Sequence, residues 1–199
     1  MKPGPDKQFD PEVALAKAME VFWNRGYEAA SMAELTRVMG IGKKSLYDTF
    51  GNKRSLFIQT IRYYAQDNVA ELRRRLFAPG SHSVLENVLN VLKEWQKSHS
   101  KAGSKGCLLG TNIADFDTSD EEIAAALRQS LKHVEDAFTE ALEQSQRNGE
   151  IQLVAPPREI ARTLVCLSQG IALLGRVMDS GEVLESALQV ASSQILEPA

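Results

Sequence analysis

The sequence predicts an all-α fold: a small three-helix head, a larger helical body and about nine helices in all. Three observations carry this. Apolar residues recur at three- and four-residue spacing in nearly every segment, and capping residues and glycines punctuate those segments. No stretch alternates with period two and β-branched enrichment. The third observation is size: 199 residues, 43% of them hydrophobic, supply core for one large domain or for one small and one medium.

Residues 1–9 read as a Pro-rich lead without the apolar run of a signal peptide. Asp10 caps a first helix with Pro11 at its first position, where the missing amide costs nothing. Leu15, Ala18, Met19 and Phe22 form its inner face, Trp23 is a core or contact residue, and Gly26 ends the helix. Ser31 followed by Glu34 is a capping-box pattern opening a second helix to about Met39, with Leu35, Val38 and Met39 apolar. Gly40-Ile41-Gly42 breaks it sharply, and a short third helix runs from Lys43 to Phe50.

Two short helices about a tight turn are the helix-turn-helix pattern, whose second helix enters the DNA major groove. Lys43, Lys44 and Ser45 sit at that helix's N-terminal end, where base edges are met. Leu46 and Phe50 point back into the domain. Tyr47, Thr49 and Lys53 offer hydroxyls and charge for phosphates, and Ser31 at the start of the preceding helix completes the candidate contact set. The plain alternative is an αα-hairpin with solvated lysines.

The run from Gly40 to Phe57 also resembles the DNA-binding signature of the TetR/AcrR family of bacterial regulators. That signature is a Gly-Val-Ser turn followed, after a variable stretch, by Tyr47, Phe50, Lys53 and Leu56 as they stand here. The resemblance is close over residues 10–62, with an echo at Lys105-Gly106-Cys107-Leu108-Leu109-Gly110. Two positions depart from it. Gly42 stands where a serine or threonine cap is usual, and Lys44 where a small residue is common. The resemblance implies a helix-turn-helix DNA-binding domain over residues 10–51 and a ligand-binding and dimerisation domain over residues 52–199. It also implies a small-molecule inducer and a homodimer on double-stranded DNA. The expected protein is a repressor released from a pseudo-palindromic operator. An activator, a ligand-independent dimeric DNA-binding protein and a thiol-based redox or electrophile sensor are the alternatives.

Asn52 caps a long fourth helix to about Phe77, stopped by Pro79-Gly80, with Arg73, Arg74 and Arg75 solvated in its last turns. No linker separates it from the head. Ser83 caps a fifth helix from Val84 to Lys97, with Val88, Leu92 and Trp95 inward. Cys107 to Phe116 reads as a short apolar helix. Ser119 or Asp120 caps a long one to about Asn148, with Ile123, Leu127, Leu131, Val134, Phe138 and Leu142 inward. Pro156-Pro157 starts a helix to about Met178, and Val183 to Leu196 forms the last. The eighth helix is apolar around most of its circumference, so it needs cover on two sides, and a second copy supplies one of them. The expected dimer residues are Ala161, Val165, Gly170, Ala172, Leu173, Leu184 and Leu188. A mostly apolar pocket is expected among helices four to eight. Its lining by inward phase is Trp95, Leu108, Thr111, Asn112, Phe116, Phe138 and Leu164.

The net charge of −3 conceals an asymmetry: residues 1–62 carry ten Lys/Arg and seven Asp/Glu, whereas residues 63–199 carry thirteen and nineteen. A basic head on an acidic body suits nucleic acid at one end. No membrane-length apolar run occurs. His82, His99 and His133 are isolated and read as exposed, no phosphate loop or catalytic constellation is present, and no metal or cofactor is expected. The reading is therefore not an enzyme. Two cysteines without disulfide or metal spacing suit the cytoplasm. Cys107, beside Lys101 and Lys105 at a helix start, is the candidate reactive thiol, and Cys166 is expected to be inert.

Overall fold

The computed structural model describes residues 9–79, 83–101, 103–113, 115–117, 119–178 and 181–195. The lead at residues 1–8, Gly80, His82 and the expected last-helix end at Leu196 lie outside them. Among the described residues there are nine helices and no strand: α1 (Pro11–Arg25), α2 (Met32–Met39), α3 (Lys43–Phe50), α4 (Lys53–Leu76), α5 (Val84–His99), α6 (Leu108–Ile113), α7 (Glu121–Arg147), α8 (Pro157–Leu174) and α9 (Glu182–Ile195).

Local chemistry sets most of these boundaries. Asp10 accepts from the amides of Glu12 and Val13, and Asn52 accepts from that of Ser55 at 2.8 Å. Ser83 and Glu86 form a complete reciprocal box at the start of α5. At α2 the expected box is half made. Ser31 accepts from the Glu34 amide at 3.1 Å, while the Glu34 carboxylate meets Arg25 instead. Gly40 takes the left-handed conformation (φ 74°) that closes α2, and Ile41 is buried in the angle before α3.

Five expectations need correcting. The buried face of α1 is Ala14, Ala18, Val21 and Phe22, with Leu15 and Met19 half-buried. Helix α6 spans only Leu108–Ile113, so Phe116 lies beyond it. Helix α8 stops at Leu174 rather than Met178, because the chain tightens there to three-residue hydrogen bonds, Arg176 to Leu173 and Val177 to Leu174. The arginines closing α4 are ion-paired rather than merely solvated: Arg73 with Glu140, Arg74 with Glu71, Arg75 with Glu71 and Glu94. His99 is half-buried, not exposed, and burial pushes its ring below the usual value.

Helix α4 joins head and body. Its first half completes the head's core, where Phe57 meets Phe22 at 4.9 Å and Tyr27 at 4.7 Å between ring centres. Leu108, Leu109, Ile123 and Leu127 of α6 and α7 belong to that same apolar cluster. A second cluster, with Leu72, Leu76, Phe138, Leu142 and Leu164, fills the far end of the body. The head and body therefore share packed side chains.

Candidate nucleic-acid interface and ligand cavity

Burying Leu46 and Phe50 under α3 turns Lys43, Lys44, Tyr47 and Asp48 outward, with Tyr47 44% exposed. Lys44 Nζ lies 2.9 Å from Asp48 Oδ2, a contact that raises the lysine's pKa chiefly through this hydrogen bond. Gly42, at the N-cap, offers no side-chain bond to the first amides of α3. Ser45 and Thr49 are half-buried at the edge of this face. Ser31 is exposed, with its oxygen on the Glu34 amide.

Lys53 turns inward in the free protein. Its ammonium donates to the Glu28 carbonyl at 3.1 Å and sits 4.6 Å from the Tyr27 ring centre, tying α4 to the α1–α2 turn. Sequence reasoning missed two residues beside this face, Asp48 and the exposed Arg37 in the last turn of α2. The four-residue step from Lys44 to Asp48 was the available signal for the first.

Between body and head lies a partly open cavity of about 740 Å³ whose wall includes Trp23, Tyr64, Trp95, His99, Cys107 and Gln169. Of the expected lining, Trp95 alone belongs to it. Leu108, Asn112, Phe138 and Leu164 are fully buried core, Thr111 bonds back to the Cys107 carbonyl at 3.0 Å, and Phe116 packs on the head's cluster. Inward phase selects residues that fill a core, whereas a cavity forms where filling stops.

Trp23 belongs to the head, so the cavity reaches the DNA-binding domain directly. Its ring meets Tyr64 edge-on at 5.1 Å. Lys105 bonds Glu20 at 2.5 Å and lies 5.5 Å from the Trp23 ring centre, adding a second bridge. Asp115, just past α6, accepts from the Glu28 amide at 3.2 Å. It sits where a Cβ at Gly26 would collide with it, and Gly26 has φ 80°. Arg54 at the start of α4 bonds Asp120 at 2.5 and 2.7 Å and also pairs with Glu122, holding α4 to the start of α7. This pairing depresses the Asp120 carboxyl to about 2.

Cys107 is half-buried in the cavity wall, and Tyr64 donates its hydroxyl to the Cys107 sulfur at 3.6 Å. Burial first, then the neighbouring thiol, pushes the Tyr64 phenol upward. Cys166, expected to be inert, is exposed on α8.

The expected dimer set divides. Ala161, Ala172, Leu184 and Leu188 are buried in their own protomer and are not available to a partner. Val165 and Gly170 are half-buried, and a Cβ at Gly170 would meet nothing within 4 Å. Leu173 is exposed, together with Leu174, Val177, Val183 and Val190. On α9 the exposed apolar residues are thus Val183 and Val190 in place of the expected Leu184 and Leu188, and on α8 they gather at its C-terminal end. Among the described residues, no three His, Cys, Asp or Glu side chains are grouped to hold a metal, and no helix is long and apolar enough to cross a membrane.

A helix-turn-helix head fused by one continuous helix to an all-helical body defines a DNA-binding regulator. Comparison with known proteins gives the family. The tetracycline repressor-like C-terminal domain matches residues 84–191, and the tetR family of bacterial regulatory proteins matches residues 14–60. The HTH-type transcriptional repressor ComR of Escherichia coli is 30% identical over 194 residues, 96% of this chain and 90% of ComR. The uncharacterised HTH-type regulator YezE of Bacillus subtilis is 32% identical over 153 residues, 74% of this chain and 76% of its own length. A cysteine mutant of the TetR family regulator CifR, solved with 26-base-pair operator DNA, superposes with TM-score 0.82 at 27% identity, covering 96% of this chain and 99% of CifR. The chain belongs to the TetR family and is a DNA-binding transcriptional regulator.

Proposed function

We propose that this regulator is a homodimeric repressor, acting in the cytoplasm, that leaves a pseudo-palindromic operator when a small molecule enters the 740 Å³ cavity. The outward face of α3 supports the DNA half of this reading. Lys43, Lys44 and Ser45 stand at the helix end that meets base edges, with Tyr47 and Thr49 beside them for phosphates. Lys53 joins that phosphate set if its tie to Glu28 opens on DNA. The exposed apolar stripe of α8 and α9 supports the dimer, because a second copy covers it and sets two α3 helices on one DNA face.

The inducer half rests on Trp23. A ligand packed against this ring touches the head itself, and the ties from Lys105, Asp115 and Arg54 carry any displacement into α1 and α4. Gel shift on the DNA upstream of the protein's own gene tests the reading. Lys43→Ala and Tyr47→Ala are each expected to weaken binding severalfold, and unchanged binding by both would refute the docking.

A second reading is supported by Cys107 in the cavity wall: its thiol loses a proton to solvent, the thiolate adds to an electron-poor alkene, a sulfur–carbon bond forms as the carbon–carbon π bond breaks, and the adjacent carbon takes a proton back from solvent. Adduct formation in the wall displaces the Tyr64 hydroxyl from the sulfur. Labelling with N-ethylmaleimide separates the two readings. Loss of DNA binding in wild type but not in Cys107→Ser supports the thiol reading, and equal behaviour of the two excludes it. Cys166→Ser in both backgrounds removes the exposed thiol as a confounder.

A further inference from the structure

The exposed face of α3 carries a carboxylate that the phosphate-contact account leaves unexplained. Asp48 stands one turn beyond Lys44 on the same side of the helix. Their side chains are 63% and 90% exposed and touch at 2.9 Å. Leu46 and Phe50, buried on the other side, fix the direction in which this pair points. A carboxylate facing DNA phosphates would oppose binding by like-charge repulsion. Base edges in the major groove are different, because they present donors as well as acceptors.

We infer that Lys44 and Asp48 act as one reading unit for a G·C pair, with Lys44 donating to guanine and Asp48 accepting from cytosine. A lysine ammonium can only donate and an ionised carboxylate only accept, so the two side chains offer a donor and an acceptor side by side. Across the major groove a G·C pair shows guanine N7 and O6 as acceptors, then the cytosine N4 amine as donor. The ammonium meets both guanine acceptors, and the carboxylate beside it meets the amine. On an A·T pair the ammonium finds one acceptor, and the carboxylate is placed against the O4 acceptor and methyl of thymine. The contact also brings the lysine and the carboxylate together before DNA arrives, which lowers the ordering cost on binding. Specificity at this position then comes from repulsion of the wrong pair as much as from attraction to the right one.

This inference rests on the DNA-binding reading above, and the experiment separates the two. The purified full-length protein selects from randomised duplex DNA, and Lys44→Ala, Asp48→Ala and the isosteric Asp48→Asn are carried through the same selection. Thermal melts confirm that each variant folds. Wild type is expected to enrich one G·C pair at the same place in each half-site. Lys44→Ala and Asp48→Ala are each expected to relax the preference at that pair by about 5- to 150-fold, leaving the other positions intact. Asp48→Asn is expected to lose the exclusion of A·T, because asparagine also pairs with adenine. Asp48→Ala tightening binding to all duplexes alike would show that the carboxylate faces phosphate, and would overturn the inference. So would unchanged preferences, or the two alanine variants altering different positions. Wild type selecting no sequence at all would refute the DNA-binding reading, and this inference with it.

Discussion

Helix α3 and the α8–α9 pair both hold a face out of the core, but the faces differ in kind. On α3 the outward side chains are Lys43, Lys44, Tyr47 and Asp48. On α8, the turn after it and α9 they include Leu173, Leu174, Val177, Val183 and Val190, with Val177 74% exposed, beside the exposed Arg176, Glu182 and Glu185. A helix face carrying cations and a phenol is stable in water and awaits a polyanion. A group of large exposed apolar side chains is costly in water and favours cover by a partner surface. In the proposed dimer the contacts of the first face form and break as ligand arrives, whereas the second face stays covered by the partner protomer throughout. This division lets one end of the chain switch while the other stays assembled.

The largest expected effect tests whether the apolar stripe is a covered face. Leu173→Arg places an unpaired charge in the proposed interface, at a cost of about 3–5 kcal/mol to the dimer. It leaves the protomer intact, because Leu173 is exposed there. The variant should sediment as a folded monomer at low micromolar concentration. Ala172→Arg, one residue earlier and buried in the wall of the protomer's own cavity, should instead destabilise the fold and leave the outer face untouched. Identical behaviour of the two variants would erase the distinction between the inner and outer sides of α8.

Next in size is the tie between head and body. Gly26→Ala puts a Cβ at φ 80° and against Asp115, so it should cost about 1–3 kcal/mol and lower the melting temperature measurably. Asp115→Ala removes the collision but also the bond to the Glu28 amide, so the double variant should recover only part of the loss.

A smaller effect appears in acid. Asp120 is held at about 2 against an ordinary 3.8, chiefly by its bond from Arg54. A carboxyl depressed on folding contributes stability above its unfolded value, and loses it as pH falls through the folded one. The advantage of wild type over Asp120→Asn should therefore be constant near neutrality and shrink between pH 3.8 and about 2. Urea titrations at stepped pH would show this, and a constant gap would place Asp120 outside the tie. The smallest effect belongs to α3 itself. Gly42→Ser supplies a cap oxygen and should stabilise the head by about a few tenths of a kcal/mol.

Sequence legibility followed the same division. The head's elements could be read because each boundary is written locally, in Asp10, Ser31, Gly40, Gly51 and Asn52, within a few residues of its effect. Lys44 and Tyr47 could be placed outward because Leu46 and Phe50 define the other side. The body's helices were also legible, but their sides were not. Helix α8 is apolar on nearly every side, so periodicity could not tell Ala172, inside, from Leu173, outside. The cavity was least legible. It is made by Trp23, Tyr64, Trp95, Cys107 and Gln169 from five separate segments, and of these only Trp95 is in the lining expected from inward phase. The ties of Asp115 to Glu28 and of Arg54 to Asp120 span 87 and 66 residues, a separation at which no local pattern operates.

The central claim is that a covered apolar stripe sets two polar α3 faces on one side of DNA. Hydroxyl-radical footprinting of the purified protein on its own upstream region tests it most directly. Two tracts protected on the same face, centred about 34–36 Å apart and related by a pseudo-two-fold axis, are the predicted result. They should both disappear in Leu173→Arg at concentrations where wild type is saturated. A single protected tract, or two that persist in the monomeric variant, would contradict the account.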